Sequence, residues 1–350
     1  MTRQAGPFEL FDDPHEDAAA PAQGAVVPAG PDEALSRLGR LLPAGVFLGT
    51  SSWSFAGWER IVYGGRYSEA HLARSGLAAY AAHPVLRAVG IDRGFYRPLA
   101  APTFAGYARQ VPEGFRFVVK APALLTSAAT RATPGAAAVA NPQFLDAGAA
   151  RELFVQPSIE GLGARCGPLV FQFPPLPRES LRPGPASHAL IARIGEFLAL
   201  LPKTVAGRAP VYAVELRDPE LLTPRFVGML RSTGIRLCLG VHARMPEVSR
   251  QAAALRNLDA QDTEGTDWKL AGPLVVRWNL HAGFRYEEAK SRYAPFDRLI
   301  DPDIVTRGTL AHLIHVALRS AQPAFVIVNN KAEGSAPLSC IELARAVAGA

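Results

Sequence analysis

Eight short, almost continuously apolar runs separated by amphipathic stretches constrain this chain more than any other feature. The runs are VFLGT (46–50), LRAVGI (86–91), FRFVVK (115–120), PLVFQF (168–173), VYAVEL (211–216), IRLCLG (235–240), PLVVRW (273–278) and AFVIVN (324–329). A strand with one wet face alternates apolar and polar residues; these do not, as expected for parallel strands buried on both faces. Helix candidates lie between them: SEAHLARSGLAAYAAH before the second run, TFAGYARQV before the third and HALIARIGEFLALL before the fifth. After the fifth, LTPRFVGMLRSTG has Pro224 early and Gly234 just past its end, the positions where a helix starts and stops. Open doubly wound sheets more often have roughly five to seven strands, so eight such repeats predict an α/β fold with a single TIM-type (β/α)8 barrel. Segments 121–167 and 242–272 exceed an ordinary connection and read as insertions after strands 3 and 6 with some helix of their own.

The chain is 49% hydrophobic, enough to bury a large core, which excludes wholesale disorder. Residues 1–33, with AAAPAQGAVVPAGP, lack apolar periodicity and hold seven acids against one Arg3, so they are expected as a disordered acidic Ala/Pro-rich tail. That leaves 34–350 as the barrel domain. Its net charge is +12 although the whole chain carries +6, and only five of 37 bases are lysines. Arginine suits bidentate contact with phosphate or carboxylate, which points to an anionic partner; solvated helix faces in an arginine-rich protein are the plainer alternative. No run of 18 apolar residues occurs and the N-terminus is acidic, so a cytoplasmic protein without a membrane partner is expected. Cys166, Cys238 and Cys340 are widely spaced and in no CxxC pattern, the distribution of buried thiols and not of disulfides or structural zinc.

In a barrel the reactive face is built where the strands end and the βα loops begin. Ser51 and Trp53 follow the first run; Asp92, Tyr96 and Arg97 the second; Lys120 ends the third; Gln172 the fourth; Glu215 and Arg217 the fifth; His242 the sixth; Arg277, Asn279 and His281 the seventh; Asn329, Asn330 and Lys331 the eighth. A charge inside a buried strand, such as Glu215 or Lys120, is expensive unless it is paired or functional. Glu215 and Arg217 share parity, so both can face the mouth while Leu216 faces the helices. A structural ion pair and acid/base catalysis are both open for Glu215. His242, His281, Asp92 and Glu215 are suitable metal ligands by type, but their spacing is no metal motif, so no cofactor is expected and a divalent metal stays a minor alternative. There is no GxGxxG, P-loop, GxSxG or HExxH pattern. Aromatic residues cluster near the same strand ends, mostly as core, with Trp53 and Tyr96 as candidates for stacking on a ligand.

Several segments resemble the YecE-like family, also called domain of unknown function 72. GTSSWSFAGWERIVYG (49–64) is similar to its GTSGWxYxxWxxxFYP, and FYRPLAAPTFAGYARQVPEGFRFVVKAP (95–122) to FYRLPSxxTxxxWxxxxPxxFxFxVKxP. CGPLVFQFPP (166–175) resembles LGPxLxQxPP, VELRDPELL (214–222) resembles VExRHxSW, and VNNKAEGSAPLSCIEL (328–343) resembles FNNxxxGxAxxxAxxL. The resemblance implies a TIM-type barrel, matching the strand count, and a bacterial source class, but it supplies no reaction. The chain departs from the pattern in places. Gly90 stands where VEINxTFYR has a carboxylate, Asp92 stands at its Asn, Ser52 replaces a glycine, and RWNLHAG replaces RxHG with Arg277 and His281 as counterparts.

The leading expectation is an enzyme, or degenerate enzyme, binding a polar anionic small molecule such as a sugar phosphate or phosphoester at the barrel mouth. Glu215, Lys120 and His281 are the candidate catalytic groups, with Glu215 as the acid or base of a hydrolase or isomerase. Ser51, Trp53, Asp92, Tyr96, Arg97, Gln172, Arg217, Arg277, Asn329 and Asn330 are candidate ligand-binding residues. Lys120 and Arg277 would hold the anion, and Asn329 and Asn330 would orient it. Retaining glycosidase chemistry needs two carboxylates and is disfavoured by Gly90. The alternatives are a nucleic-acid-binding or processing barrel, suggested by the basic body, and a catalytically silent scaffold. Substrate and oligomeric state stay open.

Overall fold

All eight apolar runs become strands of one closed parallel barrel, in the order β1-β8-β7-β6-β5-β4-β3-β2 around the ring. They are β1 (Val46–Thr50), β2 (Leu86–Ile91), β3 (Arg116–Lys120), β4 (Cys166–Gln172), β5 (Tyr212–Glu215), β6 (Arg236–Val241), β7 (Leu274–Trp278) and β8 (Ala324–Val328). The structure is a computed structural model that describes residues 24–130, 139–259, 268–281, 284 and 286–349. Helices follow the strands and pack outside them, giving the TIM-type fold expected from the alternation of runs.

Strand parity explains two cores. Ala88, Val118, Val170, Ala213, Cys238, Val275, Phe325 and Ile327 form an inner cluster that fills the barrel. Their neighbours in sequence, such as Val89, Val119, Leu169, Val214, Leu239, Val276 and Val326, belong to the larger cluster between barrel and helices. Both faces of each strand are therefore dry, which is why the runs are continuous instead of alternating.

The helix after β5 spans Pro224–Thr233, with Thr223 Oγ1 accepting a hydrogen bond from the Phe226 N–H at 3.3 Å and Gly234 at φ 70° ending it. Replacing the cap, Thr223→Ala, is expected to cost about 1 kcal/mol in a urea titration, because an N-terminal N–H then loses its partner. An unchanged midpoint would count against the cap.

Both long connections contain a barrel helix. After β3 come a short antiparallel pair, Ala129–Thr130 with Val139–Ala140, and then continuous helical turns from Ala147 to Leu162. The last of these, Gln156–Leu162, packs on Ala101–Ala108. After β6 the helix Val248–Asp259 is pinned by a bidentate ion pair between Arg236 at the foot of β6 and Asp259.

Residues 1–23 of the expected tail lie outside the described residues. Residues 24–32 do not behave as a tail. Ala29 N–H donates to Val62 O and Gly64 N–H donates to Val27 O, both at 2.9 Å, and Asp32 caps the helix Glu33–Leu41. Backbone pairing with the loop around Tyr63, and packing of Val26 on the core, hold this polar-looking segment in place. Among the described residues no helix is long and apolar enough to cross a membrane.

Candidate functional site

Two residues beyond the inner apolar cluster, period-two alternation puts Gly90, Lys120, Gln172, Glu215, Gly240 and Arg277 on the barrel's inner face, one layer nearer the C-terminal mouth. The ladder sets them side by side, with Gln172 paired to Glu215 and Gly240 to Arg277. An apolar layer gives way here to a ring of charged and polar side chains and glycine.

Arg277 sits at its centre, 3% exposed. One guanidinium nitrogen, Nη1, donates to Glu215 Oε2 at 2.8 Å and to Gln172 Oε1 at 3.3 Å. The other, Nη2, pairs with Asp92 Oδ2, across the barrel on β2's outgoing loop. Glu215 is fully buried, and its second oxygen, Oε1, takes Arg217 Nη2 at 2.7 Å and Asn279 Nδ2 at 3.2 Å. Both oxygens of that carboxylate are thus engaged. Gly240 has no side chain to obstruct it: a Cβ there would stand 3.2 Å from Glu215 Oε1. Gln251 holds the Gly240 backbone from outside, its amide accepting from the Gly240 N–H at 3.0 Å and donating to its carbonyl at 2.9 Å.

The electrostatics follow from that geometry. Burial alone would raise the Glu215 pKa, but Arg217, Arg277 and Lys120 outweigh it and hold the carboxyl below its usual range, so it stays ionised. Burial likewise opposes the charge on Arg277, yet Asp92 and Glu215 fix it more firmly as a cation.

Lys120 differs. It is 5% exposed, and its ammonium lies 3.5 Å from the centre of the Phe95 ring, on the turn after Asp92. Among the described residues its Nζ has no hydrogen bond or ion pair, since Asp92 and Glu215 are turned to Arg277. A cation over a ring gains about 0.5–2 kcal/mol, which is less than the desolvation of a buried amine. Burial, with repulsion from Arg277 and Arg217 only partly offset by Asp92 and Glu215, pushes its pKa down to about 7. A second donor is also unsatisfied. Arg217 is 8% exposed and its Nη1 is buried without a hydrogen-bond partner. His242, beside them, is held near a pKa of about 4 by burial and by Arg217 and Arg244, so it is neutral at ordinary pH.

Of the expected site residues, Asp92, Lys120, Gln172, Glu215, Arg217 and Arg277 come together in this cluster. Ser51 and Asn329 pair with each other, Nδ2 of Asn329 donating to Ser51 Oγ at 2.9 Å. Trp53 and Asn330 are placed in packing roles. The Trp53 indole N–H donates to Leu72 O at 3.1 Å and its ring meets the edge of Tyr107, while Asn330 Oδ1 accepts from the Trp58 indole and the Ala336 N–H. His281 donates its backbone N–H to Lys331 O and sets its ring against Phe284. Tyr96 and Arg97 are exposed on the rim, Tyr96 edge-on to Phe95. Two participants were given no role from sequence: Asn279, named only among the polar groups at the strand ends although it shares parity with Arg277, and Phe95, which reads as core. Among the described residues no group of three or more His, Cys, Asp or Glu side chains could hold a metal ion.

Residues 47–350 match the family described as Protein of unknown function DUF72. Solved structures with the same fold include a DUF72 family protein from Enterococcus faecalis, 15% identical over 86% of this chain and 95% of that one with a TM-score of 0.52. Another, from Thermotoga maritima, is 18% identical over 85% and 97% of the two chains, also at 0.52. At these identities the likeness speaks to the fold. No curated protein matches the chain.

Proposed function

The chain belongs to the DUF72 family of proteins of unknown function, and from that premise we propose that its barrel mouth binds a polar anionic small molecule, such as a sugar phosphate or phosphoester. One observation carries this reading: Arg217 Nη1 is buried without a hydrogen-bond partner, and beside it Lys120, 5% exposed as a residue, makes no hydrogen bond or ion pair among the described residues. Buried polar groups are nearly always satisfied, and an orphaned cation is the dearest kind to leave so. An oxyanion between them would satisfy both.

The same geometry reassigns Glu215. Its oxygens are occupied and its charge is locked, so it serves as the counter-charge that lets Arg217 and Arg277 be buried together, not as a proton carrier. Arg277 is spent on Asp92 and Glu215 in the same way. Lys120, with a pKa of about 7, is the group able to give and take a proton near neutrality. Because these charges lie inside the mouth, a polymer backbone lying across the rim would not reach them, which favours the small ligand over nucleic acid.

Sulfate keeps its charge between pH 6 and 9, so it isolates the protein's own titration. Isothermal titration should give saturable sulfate binding that weakens by about an order of magnitude between pH 6.5 and 8.5, as Lys120 loses its proton. Asp92, Arg217, Arg277 and Glu215 face Lys120; the two arginines and Glu215 keep their charges over this range, and His242 is already neutral. Absence of binding, or an affinity flat in pH, would remove the proposed anion site.

A further inference from the structure

We infer that Lys120 is an amine nucleophile, forming an imine with the carbonyl carbon of a small anionic aldehyde or ketone whose charged group is held by Arg217. This deepens the anion-site reading above and rests on it.

The geometry supplies what such a nucleophile needs. Lys120 is the last residue of β3, points into the barrel at its mouth, and is almost wholly buried. Its Nζ has no hydrogen bond or ion pair among the described residues, so the nitrogen lone pair, once the proton is gone, is committed to nothing. Phe95 at 3.5 Å gives the amine a non-basic wall on one side. Arg217, two residues past the end of β5, offers the unfilled Nη1 donor that a carboxylate or phosphate on the same substrate would take. A catalytic lysine must also be neutral for a useful fraction of the time. An ordinary lysine at pH 7 is neutral on the order of once in a thousand molecules, whereas burial and the neighbouring arginines bring this one to half.

Lys203, Lys269 and Lys290 are exposed and have no comparable setting. Lys331 is buried too, over Phe296, and burial and Lys290 also lower its pKa, to about 8, but it is not among the charges that act on Lys120, Glu215 or Arg217.

The step balances without an oxidant or reductant. The Nζ lone pair attacks the carbonyl carbon, a C–N bond forms, and the C=O π pair goes to oxygen. That oxygen collects the two amine protons and leaves as water while C=N forms, so amine plus carbonyl gives imine plus water. The imine, once protonated, can draw electrons from the adjacent carbon, which suits bond breaking next to a carbonyl and not phosphoester hydrolysis.

The full chain would be incubated with pyruvate or with dihydroxyacetone phosphate at pH 7 to 8, treated with borohydride, and read by intact mass and peptide mapping. Lactate and glycerol 3-phosphate, which carry the same charges without the carbonyl, serve as non-covalent probes by calorimetry. The expected result is one adduct per chain on Lys120 with at least one carbonyl probe. It should fall more than about tenfold in Lys120→Met and be unchanged in Lys331→Met, with circular dichroism confirming that both variants are folded. Adducts spread evenly over the five lysines would overturn the inference. So would lactate or glycerol 3-phosphate binding with no trapped adduct, which leaves the anion site standing. If none of the four probes binds or reacts, the inference and the anion site fall together.

Discussion

Glu215→Leu is expected to lower the unfolding free energy by about 3–5 kcal/mol, read as a shift in urea midpoint with an unchanged slope. The size comes from what the substitution leaves behind, more than from what it removes. Arg217 and Arg277 are buried within reach of each other, and Glu215 contacts both, Oε1 to the first and Oε2 to the second. Without the carboxylate, Asp92 alone faces Arg277, and Arg217 loses its ion-pair partner while already carrying an unsatisfied Nη1. Gln172→Leu provides the comparison. It removes one neutral acceptor at 3.3 Å from Arg277, which keeps its two carboxylates, and should cost only about 0.5–1.5 kcal/mol. If Glu215→Leu costs no more than Gln172→Leu, Glu215 is not the counter-charge of the two arginines.

The barrel was legible because its signal is local and repeated. Each run carries its own two-sided burial, and residues such as Pro224 and Gly234 mark helix ends by their own backbone preferences. Counting from β5 also foretold that Glu215 shares a face with Arg217, two residues past the strand's end, with Leu216 on the other, because alternation persists for the first extended residues after a strand. Where the chain turns, that rule lapses. Asn329 and Asn330 are adjacent and look interchangeable in sequence, but the turn sends one to Ser51 and the other to Trp58 and Ala336. Trp53 had the composition of a stacking platform, and its direction is decided by Leu72 on a distant helix. The partner of Asp92 lies 185 residues away. Sequence placed both at strand ends, but only closure of the ring makes them meet, and that meeting sets Arg277 between two carboxylates.

Lys120→Met should make the protein more stable at pH 6.5 while abolishing sulfate binding. The folded chain holds Lys120 at a pKa of about 7, and an unfolded lysine titrates near 10.4, so folding penalises the charged form. Below pH 7 both states are protonated and the penalty is present in full, on the order of 4 kcal/mol as an upper bound. Between pH 7 and about 10 the unfolded chain holds a proton the folded one has shed, so wild-type stability rises relative to the variant by up to about 1.4 kcal/mol per pH unit. The excess stability of Lys120→Met should therefore be largest at pH 6.5 and shrink steadily toward pH 9, followed as the difference in urea midpoints at each pH. Methionine fills nearly the same volume, so a cavity does not obscure the comparison. A residue kept at such expense to the fold fits a ligand or reaction that needs the amine, since an apolar side chain would serve the packing better. A variant that is less stable than wild type at pH 6.5, or a gap that does not close with rising pH, would mean that Lys120 is satisfied in the native state and that the mouth has no unfilled cation to offer.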